Sequence, residues 1–337
     1  LKAVYDRWNS LTKPPGSLGR LEDLVATLAR QLGTPRPALR GKSLYVFCGD
    51  HGVTKEGVSA YPSEVTRQMV LNFITGGAAV NVLCRRIGIR TLIVDAGVEG
   101  EPVPGVIARK IREGTRNFAQ EPAMTRDEAE RALAIGTSLA YEGALDDIRA
   151  AGEMGIGNTT SASALLCAFT GVAPLDAAGP GTGLPVEGVA RKAEVIERAL
   201  ALHRPDPADP VGVLAQLGGY EIAMMAGFLL GSARQRIPVM MDGFISCSAA
   251  LVASRIEPKV RDYLLYSHRS AEPAHARMLA ELNATPLLDL GMRLGEGTGA
   301  ALAISLTEHA LALYDEMATF EEASVSTKRI EDSGGLG

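Results

Sequence analysis

The chain has 337 residues, 46% of them apolar and 22% charged, with 34 basic against 39 acidic side chains and a formal net charge of −5. These figures fit a globular protein of one large domain or two smaller ones, and they exclude the clustered basic footprint of a nucleic-acid binder. No run reaches the roughly 20 apolar residues that a membrane span needs, and Leu1-Lys2-Ala3-Val4-Tyr5-Asp6 carries no secretory pattern.

In chain order, residues 18–32 predict a helix with no strand beside it. Residues 43–49 form an apolar run that leads into Asp50-His51-Gly52. Helical spacing then covers 64–86, and a second apolar run, 91–95, leads into Ala96-Gly97. A strand is expected before Gly152, although 146–151 is polar for a buried one. Helices follow at 159–169, 187–202 and 220–235, then an apolar run at 237–241 ending in Asp242-Gly243. A helix at 244–256, an apolar run at 263–266 ending in Ser267-His268, and a helix at 302–322 complete the set. The polar tail from Ser324 is expected to be mobile.

Short runs that are apolar on both faces read as strands of a parallel sheet covered on both sides. Their alternation with helices predicts an α/β fold with a doubly wound, mostly parallel sheet (three-layer αβα, Rossmann-like). The expected division is a catalytic domain at 41–300 and a small helical subdomain from the chain termini, 1–40 plus 301–337. In such folds ligands bind beyond the carboxyl ends of the strands, where the Gly, Asp and His clusters fall.

Cys48, Cys84, Cys167 and Cys247 form no C-x-x-C pair. They read as buried free thiols of a cytoplasmic protein. The five histidines show no metal-ligand spacing, and no serine sits in a G-x-S-x-G elbow. Asp50 and His51 could form a dyad or a metal pair, but such residues more often organise a turn through bonds to the backbone. Glycine is in excess, 37 residues of 337, and it clusters around two glutamates. One frame is Gly152-Glu153-Met154-Gly155-Ile156-Gly157-Asn158-Thr159-Thr160, and the other is Gly295-Glu296-Gly297-Thr298-Gly299. Glycine lets backbone approach a ligand and bares its N–H groups. A carboxylate held there is placed to take a proton.

The first frame runs into a predicted helix, whose N-terminus suits a phosphate. A capped helix after a tight turn would explain Asn158 and the threonines, but not three glycines and a glutamate together. A second glycine loop, Gly179-Pro180-Gly181-Thr182-Gly183, precedes Lys192. That lysine is equally readable as a phosphate contact or as a solvated surface residue. A dinucleotide-dependent oxidoreductase would need G-x-G-x-x-G after the first strand, where the chain has Gly49-Asp50-His51-Gly52 instead. A non-catalytic nucleotide-binding module would leave Glu296 without a purpose.

Seven segments in order carry a resemblance. They are Thr12-Lys13-Pro14-Pro15-Gly16-Ser17-Leu18-Gly19-Arg20-Leu21-Glu22, Gly49-Asp50-His51-Gly52-Val53, Gly76-Gly77-Ala78-Ala79-Val80-Asn81, the Gly152 frame, Met241-Asp242-Gly243-Phe244, Ser267-His268-Arg269-Ser270-Ala271-Glu272-Pro273 and Met292-Arg293-Leu294 with the Glu296 frame. The set resembles the nicotinate-nucleotide–dimethylbenzimidazole phosphoribosyltransferases of cobalamin lower-ligand assembly. The resemblance implies transfer of phosphoribose from nicotinate mononucleotide to 5,6-dimethylbenzimidazole, with inversion at the anomeric carbon. It also implies a homodimer and no metal or cofactor. It makes Glu296 the general base and Glu153 its partner near the ribose. It puts the phosphate on Gly155, Ile156, Gly157, Asn158, Gly181 and Lys192. It builds the base pocket from Ser59, Tyr61, Met69 and Leu294. The loop around Tyr61 and Met69 leaves other benzimidazoles, phenolic and adenine-type acceptors open.

Overall fold

The computed structural model describes residues 1–142, 146–181 and 183–326. The expectation for the tail therefore lies mostly outside the described residues, as does Thr182 of the second glycine loop. Six strands form one sheet: β1 (Lys42–Gly49), β2 (Arg90–Gly97), β3 (Ile107–Ala108), β4 (Ile148–Met154), β5 (Val239–Met241) and β6 (Leu264–Tyr266). Their order is β3-β2-β1-β4-β5-β6, and every pairing is parallel. This is the doubly wound α/β architecture, with helices covering both faces. β1 lies at the centre, with Val46 opposite Ile93 on one side and Gly152 on the other. Leu44 to Gly49 are all buried, which is why that strand reads as unbroken apolar sequence.

The polar residues before Gly152 are satisfied by partners from elsewhere in the chain and leave the strand intact. Asp146 accepts from the Ser43 hydroxyl at 2.7 Å, and Asp147 accepts from the Arg40 and Gly41 N–H groups at 2.6 and 2.9 Å. Arg149, wholly buried, donates to Ser232 Oγ at 2.9 Å and to the Ala140 carbonyl at 2.8 Å. The helix expected over 64–86 is two helices, Glu64–Thr75 and Ala79–Ile87. Gly76 breaks it, with φ +79 and an N–H bonded back to Asn72 and Phe73 carbonyls. The break gives the site a second helix N-terminus. Helices Arg126–Glu142 and Pro210–Leu217, like the short Pro174–Ala177 and His275–Glu281, are not among those read from the sequence. Arg126–Glu142 packs on Tyr220–Arg234 through bare backbone: at Gly136, Gly227 and Gly231 an added Cβ would strike the facing helix.

The chain divides into two compact units, Leu39–Ser305 and Leu1–Ala38 with Leu306–Gly337. The smaller unit contains helices Lys2–Ser10 and Arg20–Leu32 and the end of helix Thr298–Glu316. Trp8 is fully buried, with its ring 4.9 Å from that of Tyr314. Lys13 and Glu22 form a buried ion pair at 2.7 Å, and Leu11 bridges to Thr319. Helix Lys2–Ser10 escaped notice in the sequence because only Val4 and Trp8 mark its buried face. Among the described residues no helix is long and apolar enough to cross a membrane.

Candidate active site

Neighbours of β1 lie on either side of it, so the chain winds away in both directions and opens a crevice at the carboxyl ends of β1 and β4. A cavity of about 450 Å³ occupies it. Its walls come from β4 and the following loop (Glu153, Gly155, Ile156, Asn158), from helix Glu64–Thr75 (Val65, Met69), and from the segment Arg293 to Glu296.

The two framed glutamates meet here, and their glycines serve each other. A Cβ on Gly152 would lie 2.6 Å from the Gly297 nitrogen, so the Glu296 backbone crosses β4 directly over Gly152. A Cβ on Gly295 would lie 2.6 Å from Glu153 Oε1. The sequence pattern suggested backbone bared to a ligand in both frames. Gly152 and Gly295 instead let the two loops interlock: a side chain at Gly152 would strike backbone, and one at Gly295 would be strained at φ +84 and press on the Glu153 carboxylate.

Glu296 has φ +66, a left-handed conformation that costs a side-chain-bearing residue about 1–2 kcal/mol. Asp242, just beyond β5, holds it there. Its two carboxylate oxygens accept from the Gly297 and Ala300 N–H groups, each at 3.1 Å. This carboxylate satisfies N–H groups at the start of helix Thr298–Glu316 from a different strand. The Glu296 carboxylate accepts the Val80 N–H at the start of helix Ala79–Ile87, and Oε2 has no partner among the described residues. Burial pushes its pKa up, the Val80 bond pulls it down, and Asp242 raises it further.

Glu153 is differently placed. Its Oε2 accepts from Asn158 Nδ2, and its Oε1 rests against Gly295. Burial, followed by the charges of Asp242 and Glu221, raises its pKa to about 8, while the Asn158 bond opposes this. These surroundings favour the protonated form of Glu153. Asn158 is committed to Glu153 and does not cap its helix, whose N-cap is Gly157.

Of the residues matched to the phosphate, Gly155, Ile156, Asn158 and Gly181 line the cavity, and Gly157 and Lys192 do not. The Ile156 N–H is given to Thr66 Oγ1 at 3.0 Å. Gly157, at φ +95, faces Thr54 and His51. Lys192 is 1% exposed and lies behind the second glycine loop, donating to the Gly179 carbonyl at 2.9 Å and Thr159 Oγ1 at 3.0 Å. Burial lowers its pKa to about 8, and Glu272 partly restores it. It is not the solvated surface lysine that the sequence also allowed. Tyr61, Met69 and Leu294 line the cavity with Val65, and Tyr61 and Leu294 remain 52% and 58% exposed at its mouth. Ser59 is not on the wall; its hydroxyl accepts from the Tyr61 N–H at 3.2 Å.

Asp50 and His51 stand beneath the site. Asp50 accepts the Glu99 N–H at 2.8 Å, and burial raises its pKa to about 6. His51 bonds Glu221 Oε1 at 2.5 Å and Ser161 Oγ at 3.0 Å under the glycine loop. Among the described residues no group of three His, Cys, Asp or Glu side chains could hold a metal ion. Residue-level reading put Gly243 and His268 at the strand ends that form this crevice, as the structure does, and missed Phe244, Ser270, Glu272 and Arg293 on the same wall. Polar residues placed directly after the apolar runs ending at 241 and 266 were the available signal, the same one that singles out Asp50 and His51.

A crevice at the switch point, with glycine loops at one end, carboxylates at the centre and apolar side chains at the mouth, suits a nucleotide and a flat ring. A family model described as "Phosphoribosyltransferase" matches residues 1–325, which fixes the class of enzyme. The chain is 52% identical over 331 residues to the nicotinate-nucleotide–dimethylbenzimidazole phosphoribosyltransferase of Roseiflexus sp. (strain RS-1), covering 97% of this chain and 94% of that one. It is 51% identical over 324 residues to the same-named protein of Geobacter sulfurreducens, covering 95% and 92%. The crystal structure of CobT from Thermus thermophilus superposes with a TM-score of 0.92 at 45% identity, over 97% of this chain and 99% of that one. The chain belongs to the nicotinate-nucleotide–dimethylbenzimidazole phosphoribosyltransferase family.

Proposed function

We propose that the protein transfers the 5-phosphoribosyl group of nicotinate mononucleotide to 5,6-dimethylbenzimidazole, giving α-ribazole 5′-phosphate and nicotinate. The observation that carries this reading is the meeting of a strained, buried carboxylate with an apolar mouth in one cavity. One ring nitrogen of the benzimidazole attacks the anomeric carbon while the other must lose its proton. Glu296, with an unpartnered oxygen and a pKa raised by burial, takes that proton. The leaving ring is a pyridinium cation that departs neutral, so it needs no acid. Glu153 stays protonated beneath the sugar, so it adds no negative charge beside the phosphate.

The phosphate sits at the N-terminus of helix Asn158–Thr170, beside Gly155 and Gly181. Lys192 acts from behind the loop: as a buried cation with no carboxylate within ion-pair distance among the described residues, it favours an anion across Thr159 and Gly179. Tyr61, Val65, Met69 and Leu294 receive the acceptor ring. The same reading includes a cytoplasmic homodimer. That part rests on the family resemblance, and sedimentation of the purified protein tests the dimer.

Purified protein mixed with nicotinate mononucleotide and dimethylbenzimidazole is expected to release free nicotinate and form α-ribazole 5′-phosphate. Nucleotide binding without nicotinate release would reject the transferase and favour a binding module.

A further inference from the structure

Three segments far apart in the chain meet at the His51 ring: the loop after β1, the first turn of helix Asn158–Thr170 through Ser161, and the start of helix Tyr220–Arg234 through Glu221. All three side chains are buried. His51 Nδ1 lies 3.0 Å from Ser161 Oγ, and Nε2 lies 2.5 Å from Glu221 Oε1. Carboxylate, imidazole and hydroxyl thus stand in the order that activates a nucleophilic serine. None of the three lines the cavity, and Ser161 is wholly enclosed, so no substrate meets the hydroxyl. The chain of bonds serves another end.

Bare backbone packs around the ring. A Cβ on Gly155 would lie 3.4 Å from His51 Cδ2, one on Gly157 would lie 3.3 Å from His51 Cβ, and one on Gly219 would strike Cε1. Gly155, Ile156 and Asn158 of the same loop line the cavity. The imidazole therefore supports, from behind, a loop whose front is cavity wall. Glu221 is a firm anchor for it, because residues 220–232 of its helix are all buried and a close-packed interior resists displacement.

We propose that His51 is a positioning residue for the donor phosphate. Bonded to Glu221 on one side and Ser161 on the other, it sets where the loop Gly155 to Gly157 and the first turn of helix Asn158–Thr170 stand. This rests on the phosphoribosyl-transfer reading, in which the phosphate sits at that turn. A phosphate held by backbone N–H groups is bound only as well as the backbone is placed, and a misplacement of about 1 Å can cost on the order of 100-fold.

The phosphate's share of donor binding is the ratio of affinities for nicotinate mononucleotide and for nicotinate riboside, which lacks the phosphate, each measured by calorimetry without acceptor. The native protein is expected to show a ratio of roughly 100-fold. Ser161→Ala leaves the His51–Glu221 pair in place and removes the link to the helix. Its ratio is expected to be about tenfold lower, with riboside affinity unchanged. His51→Gln is expected to lower the ratio at least as far, and the double variant no further than His51→Gln alone, because both act through one bond. Should His51→Gln not fold, Ser161→Ala decides. Ser163→Ala is the control: it removes a buried hydroxyl of the same helix, bonded to the Ala177 carbonyl at 2.7 Å, and is expected to keep the native ratio. A folded Ser161→Ala with the native ratio, or an equal fall in Ser163→Ala, overturns the inference. So does a native ratio already within about threefold. Failure of the transferase reading is separate: the native protein would release no nicotinate in the full reaction, whatever the affinity ratio.

Discussion

Glu153 stands on regular extended backbone at the end of β4, whereas Glu296 stands at φ +66 in a loop held by Asp242. Both are buried, 6% and 5% exposed, and both sit among glycines. Glu153 has its carboxylate bonded by Asn158 and packed against Gly295. Glu296 keeps one oxygen unpartnered. The difference shows how one sequence signature serves two ends. Where the strand alone fixes direction, the carboxylate is enclosed and its protonated form is favoured. Where the carboxylate stands on a loop, the backbone accepts strain, and a second carboxylate holds it in place.

The largest effect separates the two directly. Glu296→Gln is expected to lower kcat by about 10²–10⁴-fold with folding intact, the usual contribution of a positioned base. Glu153→Gln imitates a neutral acid and is expected to cost less than about tenfold. Nicotinate release measures both, and equal losses would end the distinction. Next comes the interlock. Gly152→Ala places a methyl group against the Glu296 backbone and is expected to destabilise the protein by about 2–3 kcal/mol in urea. An unchanged midpoint would mean that the crossing loop moves freely.

A pH series sharpens the contrast further. Glu153 has a folded pKa raised from 4.5 to about 8. The folded state therefore holds a proton that the unfolded chain has already lost across that window. Stability from this group is full below about 4.5 and is lost as pH rises toward 8, by at most about 1.4 kcal/mol per pH unit. Relative to Glu153→Gln, the native protein is expected to lose stability over that interval, and parallel profiles would refute the proton assignment. The smallest effect is at the mouth. Tyr61 is half exposed, so Tyr61→Ala is expected to raise KM for the acceptor base about three- to tenfold and leave kcat unchanged.

The strands at 43–49 and 91–95 were legible because each is apolar on both faces, and the helix at 244–256 because its buried small residues keep helical spacing. The helix at 64–86 was misread as continuous because Gly76-Gly77 can be tolerated inside a helix as well as end one. Only the cap bonds to Asn72 and Phe73 decide. The strand at 148–154 was obscured because Asp146, Asp147 and Arg149 look solvated until their partners Ser43, Gly41 and Ser232 arrive from elsewhere in the chain.

The sequence by itself determined the α/β class, the framed glutamates, the glycine loops and the family, because hydrophobic period and glycine placement are local properties. Tertiary structure alone decided what each framed residue faces. That Gly152 makes room for Glu296 and Gly295 for Glu153, that Lys192 lies behind its loop, and that Glu272 joins the cavity all follow from the order in which parallel strands set their carboxyl ends side by side. Proximity across a sheet is fixed by strand order and register, and neither leaves a mark in the local sequence.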